Sequence, residues 1–94
     1  MPLPRYKPRR DANEKLIVAT LRRVGATVIH LNIRGAPDLL VGYNGETHLI
    51  EIKGDRKSAI LNELQEEWHE KWVGSPVRVV RTPEEALEVI RPGI

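Results

Sequence analysis

Glu51 and Lys53 stand one residue apart in the run Leu49-Ile50-Glu51-Ile52-Lys53, whose other members are all apolar. In an extended strand successive side chains alternate faces, so a carboxylate and an amine are expected side by side on one face. Asp38 opens an earlier apolar run, and Asn44-Gly45 between the two runs is a strong two-residue hairpin signal. The start of one antiparallel strand lies beside the end of the next, which should bring Asp38 close to Glu51 and Lys53. Two carboxylates can hold a hard divalent cation that keeps several waters and also binds phosphate. Such a cation polarises a phosphoryl oxygen and lowers the pKa of a bound water, and an amine can orient that water or offset charge in the transition state. The chemistry indicated is phosphodiester hydrolysis. The competing reading is a plain salt-bridged cluster at a strand end, and Glu-x-Lys alone does not separate the two.

The elements that must position these groups follow from periodicity and end signals. Over residues 11–24 the apolar positions Leu16, Ile17, Leu21 and Val24 recur at helical spacing, with Asp11 as candidate N-cap and Gly25 as the stop. Residues 26–31, 38–43 and 46–53 read as three strands. A second helix is expected over residues 58–73, with Leu61, Leu64, Trp68 and Trp72 along one side and Gly74 as its stop; the two tryptophans, one turn apart on the apolar stripe, read as core rather than as base-stacking surfaces. Residues 77–80 read as a fourth strand. Thr82-Pro83-Glu84-Glu85 then starts a last helix, with a Thr cap, proline at the first helical position and glutamate three residues after the cap. The order α-β-β-β-α-β-α describes an α/β (α+β) domain around a mixed four-stranded sheet, because the hairpin is antiparallel and the last strand returns through a helix.

Composition sets further bounds. Ninety-four residues make one domain with a modest core. No cysteine is present, which removes disulfides and thiolate zinc sites. His30, His48 and His69 fall on three separate elements without ligand spacing. The longest apolar run, residues 16–21, is too short for a membrane span, and the basic start leads into no apolar signal region. A soluble, intracellular protein is expected. Net charge is +2, and Arg5, Lys7, Arg9 and Arg10 supply four positive charges within the first ten residues. The sequence therefore divides into a basic arm, residues 1–10, and a near-neutral domain, residues 11–94. Such an arm suits a polyanion, with Arg34 in the turn before Asp38 as a further candidate contact; a solvated tail is the alternative.

Gly35-Ala36-Pro37-Asp38, then Glu51-Ile52-Lys53, then Gln65-Glu66-Glu67-Trp68 resembles the PD-(D/E)XK nuclease superfamily, and more narrowly its stand-alone VRR-NUC domains of phages and bacteria. The resemblance spans residues 13–80. It implies a restriction-endonuclease-like core in which Asp38 and Glu51 bind Mg²⁺ or Mn²⁺, with the backbone carbonyl of Ile52 completing the site. Lys53 would be the catalytic lysine, and Gln65 the glutamine that orients the lysine or the phosphate. Glu14 matches an acidic residue of the first helix near the metal, although its spacing from Asp11 also fits a capping box. The expected activity is a DNA endonuclease leaving 5′-phosphate and 3′-hydroxyl ends, selective for branched DNA such as four-way junctions. A homodimer in the cytoplasm of a prokaryote or a phage-infected cell is implied as well. The alternative function is a non-catalytic nucleic-acid-binding domain on the same fold, whose signature would be a missing ligand or lysine. A restriction-like or tRNA-directed nuclease on this scaffold is a third possibility, disfavoured by the lack of a separate recognition domain.

Overall fold

The computed structural model describes residues 8–54 and 63–93, with side chains from residue 12 onward. The elements are α1 (Pro8–Arg23), β1 (Thr27–His30), β2 (Leu39–Tyr43), β3 (Glu46–Ile52), α2 (Glu63–Lys71), β4 (Val77–Val80) and α3 (Pro83–Ile90). The sheet order is β1-β2-β3-β4. The β1–β2 and β2–β3 pairs are antiparallel, whereas β3 and β4 are parallel, as a strand returning through α2 requires. The order and the mixed sheet agree with the sequence reading.

The β2–β3 hairpin turns at Asn44 and Gly45, with φ of 51° and 80°. Both central residues are thus left-handed, as a two-residue turn matching the strand twist demands. Register follows from the turn: Val41 lies across from His48, and Leu39 across from Ile50. Leu39, Val41, Ile50 and Ile52 fill one face of the sheet, covered by Ile17, Val18 and Leu21 of α1 and by Ala86, Val89 and Ile90 of α3. α1 ends in paired bonds from Gly25 N to the Arg22 carbonyl and from Ala26 N to the Leu21 carbonyl, the pattern of a glycine-terminated helix. α3 opens as its sequence suggests. Thr82 Oγ1 accepts from Glu85 N at 3.0 Å, and the Glu85 carboxylate accepts from Arg81 N, one residue before the cap.

Two expectations need correction. α1 begins at Pro8, so it takes in the end of the basic arm, and Asp11 lies inside the helix and cannot cap it. Proline fits the first turn because the amide hydrogen it lacks would have had no helical acceptor there. α2 does not present a buried apolar stripe. It ends at Lys71 and buries none of its described residues; Leu64 is 41% exposed, as is Trp72 just past its end. α1 and α3 already fill the face of the sheet that needs covering, and α2 approaches the opposite face at the sheet's end. Leu61 and the expected first turn of this helix from Ser58 lie outside the described residues, as do Arg5 and Lys7 of the arm. Among the described residues no helix is long and apolar enough to cross a membrane.

Candidate active site

Asp38 directly precedes β2, and its side chain reaches across to the end of β3. Its Oδ2 accepts from the backbone N–H of Ile52 at 2.7 Å. The hairpin therefore does what the sequence spacing requires, and Asp38 is tied to the residue between Glu51 and Lys53.

Glu51 is 3% exposed and is the buried charged residue among those described. Strand alternation turns it away from the core filled by Ile50 and Ile52, onto the face that α2 approaches. Gln65 of α2 meets it there. Gln65 Nε2 donates a short hydrogen bond to Glu51 Oε2, and Lys53 Nζ lies 3.4 Å from the same oxygen. Lys53 Nζ also donates to Gln65 Oε1 at 3.2 Å. Carboxylate, ammonium and amide thus close a triangle, with both the nitrogen and the oxygen of the glutamine amide in use. Gln65 links α2 to the β3 groups that the sequence pointed to.

Burial sets the electrostatics. It pushes the Glu51 carboxyl above the usual carboxylate range, and the negative charge of Asp38 pushes it further the same way. Lys53 and the Gln65 hydrogen bond pull in the opposite direction. Two carboxylates forced together in a site of restricted solvation form the donor chemistry that a hard divalent cation relieves. Among the described residues, no three His, Asp or Glu side chains converge closely enough to hold a cation by side chains alone. Asp38 and Glu51 would need a further donor, and the Ile52 carbonyl lies between Glu51 and Lys53 in the chain.

With Asp11 inside α1, the sequence spacing from Asp11 to Glu14 does not mark a helix start. Glu14 Oε2 lies 3.1 Å from His30 Nδ1, and the two residues line an open cleft with Asn32, Arg34, Pro37 and Asp38. The first helix therefore brings its acidic residue to the same cleft as Asp38, while Glu51 is held by Gln65 and Lys53. Arg34 borders this cleft. Arg9 and Arg10 lie in α1, with side chains outside the described residues. His48 sits beside Glu46, with Nε2 3.8 Å from Oε1, near the hairpin and away from the site.

Asn13 carries no signal in the sequence that would single it out. Its Nδ2 donates to the Arg81 carbonyl at 2.6 Å and to the Lys53 carbonyl at 3.4 Å. It pins α1 to the ends of β3 and β4, where Lys53 N also bonds the Val80 carbonyl. A single asparagine on a helix carries no periodic signal, so only the tertiary contact reveals it.

No family model matches the chain, and no curated protein matches it. A solved structure described as a VRR_NUC domain aligns with a TM-score of 0.73 at 24% sequence identity. The alignment covers 94% of this chain and 100% of the other. At that identity the likeness speaks for the fold.

Proposed function

We propose, from a chain with the fold of a VRR-NUC domain, that the protein is a divalent-metal-dependent endonuclease hydrolysing DNA phosphodiester bonds, selective for branched DNA and active as a homodimer. The observation that carries this reading is the buried Glu51, bonded by Gln65 and Lys53 and flanked by Asp38. A purely structural ion pair gains little from a second carboxylate that raises the cost of ionising the first.

Asp38, Glu51 and the Ile52 carbonyl are the residues that would hold Mg²⁺ or Mn²⁺, with Glu14 as a further candidate. A bound cation supplies Lewis acidity toward a phosphoryl oxygen and a bound water of lowered pKa. Lys53, fixed by Glu51 and Gln65, stands where an ammonium can orient the attacking water and offset charge developing at phosphorus. Gln65 holds that ammonium in place. Water adds at phosphorus and the P–O3′ bond breaks, giving a 5′-phosphate and a 3′-hydroxyl.

The test is a cleavage panel of four-way junction, flap, single-stranded and linear duplex DNA, each with Mg²⁺, Mn²⁺, Ca²⁺ or chelator. Cleavage with Mg²⁺ or Mn²⁺ that disappears in chelator and in Lys53→Ala supports the reading. DNA binding without cleavage under every metal would leave the non-catalytic alternative.

A further inference from the structure

The sequence places Trp68 and Trp72 in the core, yet Trp68 stands on a helix that buries none of its described residues and Trp72, just past the end of that helix, is exposed. The tryptophans are not loose. Their rings stack at 4.7 Å between centroids and 17° between planes. Trp72 is fixed from below, since its Nε1 donates to the Ser75 carbonyl at 2.6 Å and its ring lies so close to Gly74 that a Cβ there would sit 2.4 Å from it. Trp68 is half-buried and borders a shallow depression with Arg34, Leu64, Glu67 and Lys71.

Position relative to the active site gives this depression its meaning. Trp68 follows Gln65 by one helical turn, and Gln65 bonds both Glu51 and Lys53. Leu64 packs against the loop before β2, where a Cβ on Gly35 would approach the Leu64 carbonyl to 3.1 Å. That close approach sets Arg34, the neighbour of Gly35, beside α2. Arg34 lines both the Trp68 depression and the cleft that contains Asp38, Glu14 and His30. A track therefore leads from the carboxylates past a guanidinium to an aromatic slab flanked by a second cation, Lys71. Glu67 lies 3.9 Å from Lys71, an exposed pair that salt and solvent weaken.

We propose that this depression is a subsite for an unpaired nucleotide flanking the scissile phosphate, with its base stacked on Trp68 and its backbone phosphate facing Arg34 and Lys71. The inference rests on the nuclease reading and adds to it a means of preferring strands that contain unpaired bases. Aromatic slabs with neighbouring cations bind single strands in this way, because every base has a stacking face and every nucleotide a phosphate. A base stacked inside an intact duplex cannot reach such a slab.

The experiment measures affinity in chelator, so that no strand is cut, for a short thymidine oligonucleotide, an abasic oligonucleotide of the same length and a blunt duplex. Wild type should bind the thymidine strand more tightly than the abasic one by roughly 5- to 150-fold, the usual range for one stacked base. Trp68→Ala should remove that difference and leave duplex affinity unchanged. Trp68→Phe should keep most of it, and Arg34→Gln should weaken both single strands by the same factor. Equal wild-type affinity for thymidine and abasic strands overturns the subsite, as does a Trp68→Ala loss as large on duplex as on single strand. If Trp68→Ala does not fold, failure of Trp68→Phe to retain any base preference overturns it equally. Lys53→Ala should abolish cleavage and retain the base preference. Cleavage by wild type without base preference would sink the subsite alone, whereas base preference without cleavage under any metal would sink the nuclease reading.

Discussion

A carboxylate with 3% of its surface exposed keeps its charge at a cost, and Asp38 adds to that cost for Glu51. Its folded-state pKa is raised, so in the window just above the ordinary carboxylate range the folded chain holds a proton that the unfolded chain has released. Folding stability therefore falls as pH rises through that window and stays lower above it. Glu51→Gln removes the ionisation, so the metal-free variant should melt higher than wild type at neutral pH. Each kcal/mol gained corresponds to about 4–8 °C in a domain of this size. The same substitution should abolish cleavage and make the melting temperature insensitive to Mg²⁺, while wild type should gain stability with the cation. Thermal melts with and without Mg²⁺ at neutral and mildly acidic pH test all of this. A variant that melts lower than wild type in chelator would show that the carboxylate is chiefly a structural partner of Lys53 and Gln65.

The elements show how far local rules carry. The Asn44-Gly45 hairpin, the residue 77–80 strand and the Thr82 cap each follow from short-range chemistry, and the structure reproduces them. The hairpin alone is enough to set Asp38 beside Glu51 and Lys53, so the centre of the candidate site is legible in the sequence. The burial of α2 is not legible in its sequence, because a stripe of Leu64, Trp68 and Trp72 looks the same whether it meets a core or a ligand; which face of the sheet is already filled decides the matter. Asp11 and Glu14 have capping-box spacing, but the helix extends back to Pro8, and His30 takes the Glu14 carboxylate. Asn13 belongs to the same helix and makes a sharp test of how α1 is held. Asn13→Ala leaves two carbonyls short of a donor and should cost about 1–3 kcal/mol. Asn13→Asp should cost more, because a carboxylate would face the Arg81 and Lys53 carbonyls with no hydrogen to offer. Denaturant midpoints giving the reverse order would mean that the side chain turns outward in solution.

At the scale of the whole molecule, the proposed endonuclease would cut one strand per site, while resolving a four-way junction takes two cuts related by symmetry. An isologous dimer supplies both sites from one gene product and adds buried surface to a domain whose own core is small. Sedimentation at micromolar concentration should give twice the chain mass. Mixing wild type with Glu51→Gln should produce heterodimers that nick a junction in one strand without releasing both linear products. A monomer that prefers linear duplex would remove the dimer and the junction preference together and leave the hydrolytic chemistry untouched.

β3 is hydrogen-bonded along both edges, to β2 and to β4, and its residues 49–52 are all buried. α2 contributes Gln65 to the same triangle from a helix that buries none of its described residues. The two halves of the site should then differ in lifetime: β3 opens only when the domain unfolds, whereas α2 can detach in a local excursion of low free energy. Each excursion releases Lys53 and Glu51 from Gln65 while leaving Asp38 bonded to Ile52. Amide hydrogen exchange should therefore be fast over residues 63–71 and slow over residues 49–52, and bound single strand should slow the first without altering the second. Equal protection of helix and strand would mean that the centre opens and closes as one unit. If the two differ, the helix that carries Gln65 works as a latch, and the time it spends shut limits how often Lys53 is held ready to act.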